Sequence, residues 1–350
     1  MESLNLENRI VGPGQPPYVI AEIGSNHNGD MELCRQLIDS AKVAGADAVK
    51  FQSWSESSLI SRAEYARNTE YSDKKRHFGS LLEMVRKYQF TPEQHVEIFR
   101  YCQAKEITFL SSCFAPEEVD LLDSLNVAAF KIASMDVNHL PLLGYVASKH
   151  RPVVLATGMA TLGEIERALA VLRHGGSGPV ALLHCVSLYP PDPEIINLRN
   201  LESLQSIFDV PVGFSDHSLG TSIPLAAIAL GACIIEKHFT VDKELDGWDH
   251  AISADPMELA YIVREGKQVF QSLGTKARTL SDRELEKRKK MRRRLVVKRA
   301  VSLGERLTPA DIDCKRPGTG IHPDEIPYVL GRPLRRNLQA GDELVWTDLT

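Results

Sequence analysis

A chain of 350 residues with 43% hydrophobic and 25% charged side chains is neither disordered nor fibrous. Its length suits one large domain plus a small one, or two of middle size. The net charge of −5 gives no general attraction for nucleic acid or membrane surfaces, so an anionic ligand needs a local basic pocket. Residues 1–9 are polar and acidic, with no basic leader or apolar core. The longest uncharged stretch, 218–235, contains Gly220, Pro224 and Gly231 and reads as a buried helix running into a strand. The six cysteines form no C-x-x-C pair, and several sit in apolar runs, so we expect buried free thiols in a reducing cytoplasm.

Between residues 18 and 275, short apolar runs alternate with amphipathic stretches. The runs are YVIAEI (18–23), DAVKF (47–51), ITFLSS (107–112), AAFKI (128–132), PVVLAT (152–157), VALLHC (180–185), VPVGFS (210–215) and CIIEKH (233–238). Continuous apolar strands with little alternation suit a parallel sheet covered on both faces. Helices are expected at Met31–Ala44 after the cap Asp30, Pro92–Lys105 after Thr91, Thr161–Arg173 before Gly175, and Pro256–Leu273 before Gly274. Eight βα units over about 250 residues match an α/β fold of the (β/α)8 TIM-barrel type. A doubly wound sheet fits less well, since GSNHNG after the first run lacks the G-x-G-x-x-G spacing.

Three segments follow from this: a barrel over 1–274, a charged linker over 275–294, and a small β-rich domain over 295–350. Seven of the eight residues from Lys287 to Arg294 are basic. With Asp282, Glu284 and Glu286 just before them, they read as a solvated linker helix rather than a nucleic-acid patch. In the tail, VSLGERLTPADI (301–312) echoes LQAGDELVWTDL (338–349), which suggests two pseudo-symmetric half-units.

Barrel enzymes carry their chemistry at the C-terminal ends of the strands. Here those ends hold Glu22; Lys50 and Gln52; Ser111 and Ser112; Lys131 and Ser134; Thr157; His184, Ser187 and Tyr189; Ser215, Asp216 and His217; and Glu236, Lys237 and His238. Buried charge is costly unless paired or used, so polar endings on nearly every strand point to an enzyme. Lys50 and Lys131 are embedded in AVKF and FKIA, which favours inward ammonium groups suited to a phosphate and a carboxylate. His217 and His238 end neighbouring strands and make a plausible divalent-metal pair with open positions. Glu22 is either a lysine's structural partner or a general base.

These residues resemble the sialic acid synthase family through AEIGSNHNGD (21–30), KFQ (50–52), FKIAS (130–134), TGM (157–159), LHCVSLYP (183–190), GFSDHS (213–218), EKHFT (236–240), DHAIS (249–253) and KRPGTGI (315–321). The resemblance runs from about residue 10 to 350 and includes a C-terminal antifreeze-like (SAF) domain. It implies a metal-dependent condensation of phosphoenolpyruvate with an N-acylated, mannosamine-like hexose, giving a nine-carbon 2-keto acid and phosphate. By the same resemblance His217 and His238 hold manganese or magnesium. Lys50, Ser112, Lys131, Ser134 and Ser215 hold phosphoenolpyruvate, and Glu22 lies beside the reacting carbons. Gln52, Tyr189 and Asp249 contact the sugar, with Thr157 and Ser187 placed in the substrate-binding set. Arg316 reaches a partner's barrel, which implies a domain-swapped homodimer. No nucleic-acid or membrane partner is expected. Departures at Ser187, Ala133 and Trp248 bear on which sugar is used. The rival readings are the same chemistry on a shorter sugar phosphate, and a non-catalytic sugar-binding protein.

Overall fold

The computed structural model describes residues 2–7, 9–70, 72–73, 76–77, 79–316 and 318–350. It divides into two compact units, Met1–Gly274 and Thr275–Thr350. In the first, eight strands form a closed parallel barrel: β1 (Tyr18–Gly24), β2 (Ala48–Ser53), β3 (Thr108–Cys113), β4 (Phe130–Ile132), β5 (Val153–Ala156), β6 (Val180–Cys185), β7 (Val212–Asp216) and β8 (Ile234–His238). They pair in chain order, and β8 closes on β1 through His238 opposite Glu22. Each of the eight apolar runs holds one strand, with ends that agree to within two residues.

The helices start where the sequence supplies caps. The Asp30 side chain accepts the N–H groups of Glu32 and Leu33 ahead of Met31–Val43. Thr91, Thr161 and Asp255 form capping boxes ahead of Pro92–Ala104, Leu162–His174 and Pro256–Leu273. Outward strand residues such as Val49, Phe51 and Phe109 pack with helix residues such as Leu37 and Ile38 into the larger core. Inward residues form a second core at the lower end of the barrel, where Tyr18, Ile20, Ala48, Leu110, Val154 and Ile234 meet Leu4, Leu6 and Val11. Those last three come from a hairpin of Leu4–Leu6 and Arg9–Val11. Gly213 is required inside: a Cβ there would stand 2.6 Å from Ile234 Cβ.

The period of two then places the chemistry. Above inward Tyr18 and Ile20 comes Glu22, above Ala48 comes Lys50, above Leu110 comes Ser112, and above Ile234 come Glu236 and His238. An apolar lower barrel thus supports a polar upper layer.

In the second unit the helix Asp282–Met291 is exposed along its length. Arg294, the last residue of the expected linker, instead opens a strand, Arg294–Val297, that pairs antiparallel with Ile312–Lys315. The internal echo has a structural counterpart 37 residues apart: Val301 bridges Leu338, and Leu307 and Leu344 both enter one core. Asp311 and Asp348 are both buried, each ion-paired to an arginine, Arg299 and Arg336. All six cysteines are free, and five of them are buried. Among the described residues no helix is long and apolar enough to cross a membrane.

Candidate active site

A cavity of about 460 Å³ opens at the C-terminal ends of the barrel strands. Its lining includes Glu22, Lys50, Gln52, Ser112, Lys131, Ser134, Ser187, Tyr189, Ser215, His217, His238 and Asp249. Twelve residues singled out by sequence therefore share one cavity. Two do not. Thr157 is buried with its hydroxyl donating to the Leu183 carbonyl at 3.0 Å, so it braces β5 against β6 and is not among the lining residues. A threonine at a strand end can satisfy its own neighbourhood, and sequence does not separate that from ligand binding. Arg316 belongs to the second unit, where it is exposed and lies 3.6 Å from the Met291 sulfur.

At the cavity floor two lysines and two glutamates meet. Lys50 Nζ lies 2.7 Å from Glu22 Oε2 and 3.8 Å from Glu236 Oε2. Lys131 Nζ lies 3.8 Å from Glu236 Oε1 and donates to the Ile132 carbonyl at 3.1 Å. Gln52 donates to Glu22 at 2.8 Å, Ser215 donates to Glu236 at 2.9 Å, and Lys50 donates to Ser112 at 3.3 Å. All four charged groups are at most 5% exposed. Burial raises the Glu22 carboxyl to about 7; Lys50 opposes this and the Glu236 charge adds to it. Burial also pushes Glu236 upward, but Lys131, Lys50 and the Ser215 hydrogen bond outweigh it and hold Glu236 below the usual range. Lys131 is held below an ordinary lysine chiefly by burial, whereas in Lys50 the two glutamates outweigh burial and raise it. The floor is thus a shielded set of ammonium groups and hydroxyls beside a carboxyl that titrates near neutrality.

The histidines stand nearer the opening. Their ring centroids are 5.5 Å apart, and Tyr189 stacks on His217 at 4.0 Å. His217 Nδ1 donates to the Val186 carbonyl at 2.9 Å, so in the neutral ring Nε2 carries the lone pair. Asp249 Oδ2 lies 3.9 Å from His238 Nδ1. No cluster of three or more His, Cys, Asp or Glu side chains suited to a metal occurs among the described residues. His217 and His238, with the Asp249 carboxylate beside His238, are the side chains there whose chemistry could hold a divalent ion.

Buried pairs hold these groups in place. Lys237 binds Asp216 at 2.7 Å and the Ser218 carbonyl at 2.6 Å, fixing the turn that carries His217. Asn26 donates to the Phe239 carbonyl and to Ser253, both at 2.9 Å, and Ser253 donates to the Asp249 carbonyl at 2.7 Å. Sequence reading assigns no role to Glu236, although its signal is present: a charge in an apolar strand, two residues before His238 and so on the same face. It likewise leaves out Phe114, Met135, Met159 and Cys185, which also line the cavity, with Trp248.

Residues 37–278 match the NeuB family and residues 292–350 match the SAF domain. The N,N'-diacetyllegionaminic acid synthase of Legionella pneumophila is 37% identical, across 96% of this chain and 95% of that protein. The pseudaminic acid synthase of Helicobacter pylori is 33% identical, across 96% and 98%. Among solved structures, the N-acetylneuraminic acid synthetase of Leptospira borgpetersenii, determined with citrate, superposes with a TM-score of 0.74 at 35% identity. That superposition covers 82% of this chain and 95% of the other. The chain belongs to the NeuB family, with a C-terminal SAF domain, and is a synthase of the transferase class.

Proposed function

We propose that this enzyme condenses phosphoenolpyruvate with an N-acylated, mannosamine-like hexose, giving a nine-carbon 2-keto sugar acid and phosphate. The observation that carries the reading is the buried Lys50–Glu22 and Lys131–Glu236 cluster on the floor of the cavity. Relatives named for legionaminic, pseudaminic and N-acetylneuraminic acids support the reaction class and leave the sugar open.

In this mechanism Lys50 and Lys131, with Ser112, Ser134 and Ser215, hold the phosphate and carboxylate of phosphoenolpyruvate in a site shielded from water. Gln52, Tyr189, Asp249 and Ser187 orient the sugar with its aldehyde carbon over C3. His217 and His238 would hold the divalent ion, manganese or magnesium, which when bound supplies Lewis-acid polarisation of the aldehyde oxygen. C3 attacks the aldehyde carbon, whose oxygen takes up a proton to become a hydroxyl. C2 is left electron-poor, and water adds there while Glu22 accepts its proton. The resulting tetrahedral carbon expels phosphate by C–O cleavage and becomes the 2-keto group.

Arg316 in this reading reaches the acylamino group of a sugar in a partner's barrel, so the working unit is a domain-swapped homodimer. Free cysteines throughout suit a cytoplasmic enzyme. The test is phosphate release from phosphoenolpyruvate with a panel of N-acylated amino-hexoses, with mass spectrometry of the product. A mass equal to the sum of sugar and pyruvate is expected. Phosphate release without a carbon–carbon product would contradict the reading.

A further inference from the structure

His250 is fully buried next to Asp249 in the chain and is not among the lining residues of the cavity. Its ring lies between the loops that follow β1 and β8. Asn28, in the first loop, donates Nδ2–H to the Asp246 carbonyl of the second at 2.6 Å, which turns its Oδ1 toward the ring. His250 Nε2 lies 3.3 Å from that Oδ1 and carries the proton that bonds them. In a neutral ring Nδ1 is then an acceptor, and the Thr240 hydroxyl stands 2.7 Å from it. The same hydroxyl accepts the Asp242 N–H at 3.2 Å; the Asp242 carbonyl, at 2.9 Å, is the other acceptor within its reach. Asp242 N–H, Thr240, His250, Asn28 and the Asp246 carbonyl thus make one directional chain. It starts and ends in the loop after β8 and passes through the loop after β1.

The backbone closes tightly on this ring. A Cβ at Gly247 would stand 2.4 Å from His250 Cδ2 and 2.5 Å from Asn28 Oδ1, so a larger residue there would push the ring off its bonds. Asn28 has φ +54°, in the left-handed region that asparagine tolerates better than most residues. Trp248 and Asp249, which line the cavity, therefore lie between two fixed points: Gly247 against the ring, and His250 itself. The Asp249 carbonyl also accepts the Ile252 N–H at 3.2 Å, the first bond of a short 3-10 turn over His250–Ile252.

Burying two ring nitrogens costs free energy unless each is hydrogen-bonded, and here each bond ties down a different stretch of loop. We infer that His250 is a positioning residue: through Thr240 and Asn28 it locks the loop after β8 onto the loop after β1, so that Asp249 and Trp248 are in place before the sugar arrives. A loop ordered in advance has no ordering entropy to lose when the ligand binds, so the lock acts on sugar affinity. The inference rests on the condensation reading, in which Asp249 meets the sugar while phosphoenolpyruvate lies on the floor.

The test uses the full-length enzyme with phosphoenolpyruvate and either N-acetylmannosamine or its 4-acetamido derivative. Thr240→Val keeps the shape of a side chain outside the cavity lining and removes the hydroxyl that meets Nδ1. Asn28→Asp opens the chain at its other end, where the Asp246 carbonyl would meet an oxygen instead of an N–H; this bond is exposed, so the barrel is not put at risk. Both variants should raise KM for the sugar by about tenfold and leave kcat and KM for phosphoenolpyruvate within about twofold. Thr240→Ser restores the hydroxyl and should stay within about twofold of the parent in all three. Without substrates, hydrogen–deuterium exchange should quicken about tenfold at residues 242–250 in both variants and stay unchanged in the barrel strands. Unchanged exchange in that loop, a sugar KM within about threefold of the parent in both variants, or kcat and both KM values moving together overturns the inference and leaves the condensation reading standing. Absence of turnover by the parent with either sugar overturns the condensation reading, and with it the effect of the lock on sugar binding.

Discussion

Replacing Lys131 with Met deletes an ammonium and keeps an unbranched side chain of similar volume. Lys131 Nζ lies 3.8 Å from Glu236 Oε1. At that separation and an effective dielectric constant of about 20, the gross attraction is about 4 kcal/mol. Folding loses much less than this, because burial already disfavours the charge on Lys131 and the substitution relieves that burden. Glu236 also keeps Lys50 at 3.8 Å and Ser215 at 2.9 Å. It is therefore not stranded, a state that typically costs about 3–5 kcal/mol. Catalysis has no such compensation. An anionic oxygen that meets a thioether instead of a fixed ammonium loses about 3 kcal/mol of transition-state stabilisation, roughly 150-fold in kcat/KM. Phosphate release at subsaturating phosphoenolpyruvate measures the loss, with thermal unfolding and circular dichroism as controls for the fold. A folded Lys131→Met enzyme within about threefold of the parent would refute the placement of Lys131 against the substrate anion.

Chelation should abolish phosphate release, and manganese or magnesium should restore it in the parent but not in His238→Ala; full activity in metal-stripped protein would contradict the two-histidine site. With ionised Glu22 as the proposed base, kcat/KM should rise with pH through about 7, where burial, opposed by Lys50 and aided by Glu236, places its carboxyl. Glu236→Gln removes the neighbouring negative charge and should move that limb to lower pH; an unmoved limb would assign it to another group. The same raised carboxyl favours the folded state fully below the unfolded glutamate value of about 4.3, and that contribution is lost as pH rises through about 7. Arg316→Ala should raise KM for the sugar and leave KM for phosphoenolpyruvate nearly unchanged. Mixing it with His238→Ala should restore activity, since one mixed site joins an intact barrel to an intact tail; no rescue after verified subunit exchange would exclude a shared site.

The barrel is legible in the sequence because strands buried on both faces must be continuous apolar runs, and each run here stops at a polar group. Glu22, Lys50 and Lys131 are legible for the same reason: charge inside such a run has to be paired or used. Lys237 carries the same mark, but it falls on the opposite face from Glu236 and His238 and pairs with Asp216. Only the period of two separates the neighbours. Phe114, Met135 and Met159 belong to connecting segments that have no period, so their convergence depends on how the loops close over the barrel. Thr157 shows the reverse limit, a hydroxyl at the right strand end that satisfies a backbone carbonyl instead.

The central claim is that this chain joins phosphoenolpyruvate to a sugar aldehyde and releases phosphate by breaking the C–O bond. Phosphoenolpyruvate labelled with oxygen-18 at its bridging oxygen tests it directly, in a reaction with N-acylated mannosamine acceptors followed by mass spectrometry of both products. The account predicts that the label leaves with phosphate and that the keto oxygen comes from water. Label retained in the keto acid would mean P–O cleavage and would contradict the account.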